Sequence, residues 1–126
     1  MAGAVLACAL NARDPEYLAR RAVMEQLLAE LGRLRKEAAE GGGAAAQERH
    51  RSRGKLLVRE RLALLLDDAA PFLELSALAG YETDYRLGGE MVTGIGIVAG
   101  THCVIAANDP TDLGGALTAI SVRKLL

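Results

Sequence analysis

Apolar residues recur at helical spacing over the first part of the chain. Asp14 can accept a hydrogen bond from an unpaired helical N–H, Pro15 fits the first helical turn, and Glu16 favours the positive end of a helix dipole. A seven-residue apolar repeat with one polar position, Arg20, follows at Tyr17, Met24, Leu27, Leu31, Leu34 and Ala38. Because the repeat lasts only about three heptads, it predicts a helix docked on its own domain or on a neighbouring subunit, in preference to a free coiled coil.

The glycine run Gly41–Gly43 predicts the end of that helix, and the charge of the chain changes after it. Six residues between positions 49 and 61 are basic and one, Glu60, is acidic. The basic residues are Arg49, Arg51, Arg53, Lys55, Arg59 and Arg61. Such a group suits phosphate, but it can equally form a solvated helix face with ordinary ion pairs, and periodicity alone favours the second interpretation. A second helix is predicted over Leu56–Leu66.

Two apolar, β-branched runs in the second half of the chain predict a β-hairpin. They are Met91–Val98 and Cys103–Ala107, and Gly100 and Thr101 supply the turn between them. Both runs are apolar on both faces. We therefore expect other elements to cover the sheet on both sides in the complete protein.

The loop that follows this hairpin is the strongest candidate for a ligand site. It is built of small and polar residues, ends in Gly114 and Gly115, and leads into a helix predicted over Ala116–Leu126. Unpaired N–H groups at a strand tip, beside the positive end of a helix dipole, favour a bound anion. The pattern thus predicts that an anionic cofactor is held here.

Composition narrows the possible functions. With 51% hydrophobic residues, the 126-residue chain can form one domain with a modest core, but 3% aromatic residues and no Trp leave few platforms for stacking nucleobases. A net charge of −1 creates no global field for a polyanion, so an anion site must come from local clusters. Two cysteines, Cys8 and Cys103, form no disulfide framework and favour a reducing compartment. The opening MAGAVLACAL is similar to a secretion signal, but it lacks a preceding Lys or Arg and is too short to span a bilayer, so neither export nor membrane insertion is expected.

The spacing of the residues argues against several other kinds of ligand and catalytic site. Gly94, Gly96 and Gly100 read GxGxxxG inside a hairpin, whereas a dinucleotide site needs GxGxxG between a strand and a helix. His102 and Cys103 are adjacent on a strand, so they face opposite ways and cannot share a metal. The remaining candidates are interpreted as turn carboxylates or as serines without a nucleophile elbow: Glu82, Asp84, Asp109, Asp112, Ser76 and Ser121. No catalytic side chain and no metal site is therefore predicted.

Four segments, in order, resemble one family closely. RSRGKLLVRERLALLLDD, PFLELSALAGYE, GGEMVTGIGIVAG and AANDPTDLGGALTAISVRK are similar to the N-terminal part of the carboxyltransferase β-subunits of biotin-dependent acyl-CoA carboxylases, which include the methylcrotonyl-CoA and propionyl-CoA carboxylases. The resemblance implies an α/β fold: N-terminal helices, then the first hairpin and helix of an incomplete crotonase-like β-β-α superhelix. It implies a helical arm over residues 1–46 and a truncated carboxyltransferase domain over residues 47–126.

The same resemblance implies a function. Family members transfer a carboxyl group from carboxybiotin to an acyl-CoA, and backbone N–H groups stabilise the developing oxyanions. The implied partners are acyl-CoA, a biotin carboxylase and biotin carrier α-subunit that holds the biotin, and further β-subunits in a homo-oligomer, without nucleic acid or membrane. The implied location is the cytoplasm, or the mitochondrial matrix in a eukaryote. The chain is expected to be a fragment, inactive alone.

Position by position, the resemblance implies two groups of CoA contacts. The loop beside CoA would be formed by Ala107, Asn108, Asp109, Thr111, Gly114 and Gly115. The basic residues Arg53, Lys55, Arg59 and Arg61 would contact phosphate or, alternatively, pin the N-terminal helices to the sheet. Asp112 departs from the apolar residue that is common near this point in the family. A competing hypothesis is a non-catalytic interaction module, in which the Tyr17–Ala38 stripe binds a partner helix and the basic segment docks on an acidic or nucleic-acid surface.

Overall fold

The computed structural model describes Cys8 and residues 10–126, so most of the signal-like opening lies outside the described residues. The chain divides into two compact units, one up to Gly32 and one from Arg33 to Leu126. Helix α1, Pro15–Ala39, supplies most of the described part of the first unit and enters the second. The division predicted at residues 46 and 47 concerns family domains rather than compact units, and it stays a prediction.

The second unit contains three further α-helices, three strands and a short 3-10 turn. They are α2 (Ala44–Arg51), α3 (Val58–Leu65), β1 (Leu73–Leu75), β2 (Met91–Val98), β3 (Thr101–Asn108), a short 3-10 turn (Leu113–Gly115) and α4 (Ala119–Leu125). Helix α2 was not predicted, because the glycine run before it and the three alanines at its start indicate only a break. Helix α4 begins at Ala119 rather than at Ala116, because Thr118 caps it: its Oγ1 accepts from the Ser121 N–H, at 3.4 Å.

The strands form one antiparallel sheet in the order β1-β2-β3. The hairpin is confirmed, with Met91 opposite Asn108 and Val98 opposite Thr101. Its turn lies at Ala99 and Gly100, one position before the predicted turn, and both residues have positive φ, 48° and 75°. Asp67, just after α3, accepts a hydrogen bond from each of these two N–H groups at 2.7 Å, so the turn is tied to the helix.

One face of the sheet packs on α3 to form the core. Val58 and Leu62 of the helix pack with Val92 and Ile105 of the hairpin. The strand glycines permit this packing: a Cβ at Gly94 would lie 2.3 Å from Phe72 Cζ, and one at Gly96 would lie 2.3 Å from Leu66 Cδ2. These glycines serve close packing, as glycines inside strands often do.

The opposite face of the sheet is only partly covered within this chain. Helix α4 contacts β2, where Met91 and Thr93 are buried, but Val104 on β3 is 82% exposed. The expected cover on both sides is therefore absent at β3 in the described part of the chain. On α1, Met24 and Leu27 of the apolar stripe are also exposed. No helix among the described residues has the length and apolar content needed to cross a membrane.

Candidate functional site

A basic groove runs past Pro110 on the surface of the second unit. It consists of two adjoining depressions of 360 and 370 Å³ that share His50 and Pro110. The basic residues that line it are Arg49, His50, Arg53, Lys55 and Arg61. The other lining residues are Ala46, Leu56, Pro110, Thr111, Leu113 and Gly114, and none of the lining residues is acidic. We name this surface the basic groove.

One wall of the basic groove comes from the C-terminal part of α2 and the loop after it. The Arg53 and Lys55 side chains are exposed. His50 is half-buried, and its Nε2 lies 3.2 Å from the Leu56 carbonyl oxygen, so this nitrogen must carry the proton that it donates. Arg51 pairs instead with Glu60, at 2.8 Å, and joins α2 to α3.

The opposite wall is the loop that follows β3. Asp109 is buried, and its Oδ1 accepts from the N–H and the hydroxyl of Thr111 at 2.9 and 2.7 Å, which fixes the turn after Pro110. Gly115 N–H donates to the Asp112 carbonyl at 2.8 Å. Gly114 has a φ of 68° and no atom within 4 Å of the place where a Cβ would lie, so a ligand can approach its backbone closely.

The two walls are joined through the glycine turn between α1 and α2. Gly42 N–H donates to Thr111 Oγ1 at 3.0 Å. A Cβ at Gly42 would lie 1.8 Å from the Thr111 carbonyl oxygen, and one at Gly41 would lie 2.1 Å from Asp109 Oδ2. Only glycine therefore allows this approach, and α2 starts from it at Ala44.

Two of the basic residues predicted to contact CoA, Arg59 and Arg61, bind other groups of the protein. Arg59 makes a two-pronged pair with Glu74 of β1, at 2.9 and 2.8 Å, and Glu74 is 15% exposed. Arg61 reaches the rim of the basic groove, but its Nη2 donates to the Asn108 carbonyl oxygen at 2.6 Å. The predicted alternative, in which these side chains pin helix to sheet, describes Arg59 and partly describes Arg61.

The start of α4 is occupied by the protein's own groups. Glu90 is buried, and its Oε2 accepts from the Thr118 and Ser121 hydroxyls at 2.6 and 3.1 Å. Lys124 Nζ donates to the Gly88 and Met91 carbonyl oxygens at 2.9 and 2.5 Å, and burial lowers the pKa of this lysine. A carboxylate therefore already lies beside this helix start, and the exposed basic side chains near the loop are those of the groove. The anion site predicted from the sequence stays a prediction.

The predicted site residues therefore fall into distinct positions. The groove brings together Arg53, Lys55, Arg61, Thr111 and Gly114. Ala107 faces the core, Asn108 and Gly115 adjoin the loop, and Asp109 supports it from within. Sequence reasoning missed His50, although a histidine placed between Arg49 and Arg51 was available as a signal. Within the described residues, no three His, Cys, Asp or Glu side chains converge on a point that could hold a metal ion.

Comparison with known protein families shows which family the chain belongs to. The carboxyl transferase domain matches residues 49–126, which contain both walls of the basic groove except Ala46 and the glycine turn. The chain belongs to the carboxyl transferase family. This confirms the family predicted from the four sequence segments.

Relatives in the carboxyl transferase family extend over nearly the whole chain. A probable mitochondrial methylcrotonoyl-CoA carboxylase β chain of Drosophila melanogaster is 46% identical, and the match covers 97% of this chain and 22% of the relative. A probable biotin-dependent acyl-CoA carboxylase β2 subunit of Mycobacterium tuberculosis is 42% identical, covering 97% of this chain and 23% of the relative. The chain thus spans less than a quarter of the length of the curated relatives it matches.

Solved structures of family members show the same fold. The β subunit of geranyl-CoA carboxylase from P. aeruginosa superposes with a TM-score of 0.83 at 36% identity, over 94% of this chain and 22% of that chain. Transcarboxylase 12S, described as a hexamer with methylmalonyl-CoA bound, superposes with a TM-score of 0.73 at 30% identity, over 81% of this chain and 21% of that chain. The predicted fold, part of a crotonase-like α/β carboxyltransferase, is confirmed.

Proposed function

We propose that this chain forms part of the CoA-binding wall of the carboxyltransferase component of a biotin-dependent acyl-CoA carboxylase. The complete component would transfer a carboxyl group to an acyl-CoA. Biotin, carried by a partner α-subunit, supplies that carboxyl group when it is bound, and the β-subunits would form a homo-oligomer. The predicted location, the cytoplasm or the mitochondrial matrix of a eukaryote, stays a prediction; the name of the Drosophila relative places that protein in mitochondria.

The observation that carries this proposal is the basic groove beside Gly114. CoA presents phosphate groups, and guanidinium groups bind phosphate through paired hydrogen bonds. Arg53 and Lys55 are exposed in the groove, and no lining residue carries a negative charge. The opposite wall offers backbone without a side chain at Gly114, where a long, thin ligand can pass. The residues therefore support a role in holding CoA, with the chemistry of transfer performed elsewhere in the complete protein.

Titration calorimetry with CoA, dephospho-CoA and pantetheine tests the proposal. The double variant Arg53→Ala/Lys55→Ala should weaken CoA binding by roughly tenfold or more, because two charge-assisted contacts are lost. It should leave the weaker binding of pantetheine, which has no phosphate, unchanged. The matched control is Arg35→Ala/Lys36→Ala, which removes the same charge from exposed positions on α1. Equal losses in the two double variants would contradict the proposal.

The exposed apolar stripe of α1 favours the interaction module as a second candidate. Met24, Leu27 and Leu31 are 56%, 60% and 39% exposed. In that case the basic groove should bind generic duplex DNA with an affinity that falls steeply with salt, because the binding releases counter-ions. Binding of CoA that is insensitive to competing DNA would exclude the nucleic-acid form of this alternative.

A further inference from the structure

A buried carboxylate ties the loop after β3 to the segment before β2. Asp112 is 6% exposed, and its Oδ2 lies 3.0 Å from Arg86 Nε. The N–H is not aligned with that oxygen, so within the described residues Oδ2 accepts no hydrogen bond and the pair is held by charge. Burial raises the pKa of the Asp112 carboxyl, and Arg86 opposes the rise.

Other charged groups face Asp112 from the elements packed around it. Glu90, just before β2, and Asp109, just after β3, both act to raise the pKa of the Asp112 carboxyl. A cavity of about 20 Å³ beside Asp112 is also lined by Arg59, Glu74 and Lys124. Arg59 is committed to Glu74, and Lys124 is committed to backbone carbonyls. Removing Arg86 would therefore leave Asp112 as a buried anion beside two like charges, an arrangement that strongly disfavours the native loop.

The same arginine also holds the glycine turn. Arg86 Nη1 donates to the Gly41 carbonyl oxygen at 3.0 Å. Gly42, the next residue, donates to Thr111 on the loop. Arg86 is not among the residues that line the basic groove. Its side chain nevertheless contacts both the glycine turn that precedes α2 and the loop that follows β3.

We propose that Arg86 is a positioning residue. By pairing with Asp112 and Gly41 it holds the Asp109–Gly115 loop against the glycine turn, and so sets the width of the groove that receives the phosphates of CoA. The identity of the ligand rests on the proposed function. The holding of the loop does not, and it can be measured separately.

Amide hydrogen exchange of the full chain tests the loop directly. The N–H groups of Asp112 and Gly115 donate within the loop, to Asp109 and Asp112 carbonyls, at 3.2 and 2.8 Å. In Arg86→Gln their exchange should be at least roughly tenfold faster, because the stranded charge favours local opening. Adding Asp112→Asn, which removes the charge but keeps the shape, should return the exchange part of the way to the wild-type rate, because the bond from Arg86 to Gly41 stays lost. Arg123→Gln, at an exposed position on α4, is the matched control and should change nothing.

CoA affinity supplies the functional readout. Arg86→Gln should bind CoA at least roughly fivefold more weakly than wild type at about pH 8, and the ratio should be smaller at a more acid pH, because burial raises the pKa of the Asp112 carboxyl and protonation removes its charge. The double variant should lie between Arg86→Gln and wild type, and its ratio to wild type should be the same at both pH values. A residue with a general structural role would produce neither the pH-dependent recovery nor the rescue by Asp112→Asn.

The outcomes separate the two proposals. If exchange in Arg86→Gln equals that of wild type, or if adding Asp112→Asn fails to slow it, the positioning role is overturned. If exchange behaves as expected but wild type binds no CoA, the proposed function fails while the holding of the loop stands. Should Arg86→Gln not fold, Arg86→Lys keeps the charge and shortens the reach to Gly41. It should then give intermediate exchange, and wild-type exchange in that variant would equally overturn the role.

Discussion

The basic segment divides into two groups with different surroundings. On α3, Arg59 faces Glu74 and makes two short contacts with a carboxylate that is largely buried. Before α3, Arg53 and Lys55 have no acidic neighbour among the lining residues of the groove and remain exposed. The two groups share sequence neighbourhood and charge. What separates them is a partner that arrives from a distant strand, and the group without such a partner is the one available to a ligand.

The largest effect is expected from a change that separates the groove wall carrying Arg53 and Lys55 from the loop that forms the opposite wall. Gly42→Ala would place a Cβ against the Thr111 carbonyl oxygen, where only 1.8 Å is available, so the glycine turn and the loop must separate. We expect a loss of about 3 kcal/mol in the free energy of unfolding, as for severe overpacking, together with weaker CoA binding. Urea unfolding measures the first effect and calorimetry the second.

Gly32→Ala is the matched control for this change. Nothing lies within 4 Å of a Cβ at Gly32, which is inside α1, so the substitution should stabilise the chain by about 0.5–1 kcal/mol. If Gly42→Ala were as stable as wild type, the glycine turn would not be in contact with the loop. The contact that connects the two walls of the groove would then be absent.

The next largest effect is expected at Arg59, the basic residue that is paired with Glu74. Arg59→Ala leaves the largely buried Glu74 carboxylate without its arginine counter-ion. We expect a loss of about 1–2 kcal/mol in the free energy of unfolding, less than for a fully buried ion pair, because the arginine is partly exposed. CoA affinity should be almost unchanged. Arg53→Ala should show the reverse, with less than about 0.5 kcal/mol in stability and a clear loss of affinity. Paired measurements that moved both quantities together in both variants would erase the distinction between the groups.

Much of this arrangement follows from local sequence, and the rest depends on contacts between distant segments. The bounds of β2, Met91–Val98, are the predicted ones, because a continuous apolar, β-branched run can be recognised from neighbouring residues alone. The role of Arg59 was left open between phosphate and sheet, because Glu74 reaches it only through the packing of α3 on the sheet. Helix α2 was missed because its first residues read as a break, and its position depends on a glycine approach to Thr111 that no local pattern encodes.

Asp112 illustrates the same limit from the other side. In the sequence it is a typical turn carboxylate, and the loop containing it predicted an anion site. In the structure its side chain is buried and faces Arg86, so it supports the loop rather than the ligand. Burial depends on which element covers a residue, so a sequence pattern that identifies a turn does not show which of its polar side chains point inward.

The smallest effect concerns Arg51, which belongs to neither group, since it is exposed yet paired with Glu60. The hydrogen bond from Arg51, and after it the one from the Leu57 N–H, lower the pKa of the Glu60 carboxyl. A lowered folded pKa means that Glu60 contributes stability above its unfolded pKa and loses it as pH falls through the folded value. Glu60→Gln should therefore be slightly less stable than wild type near neutrality and equal to it in acid, by urea midpoints. A difference that persisted in acid would show that helix capping by shape, rather than the charge link between α2 and α3, accounts for the contribution of Glu60.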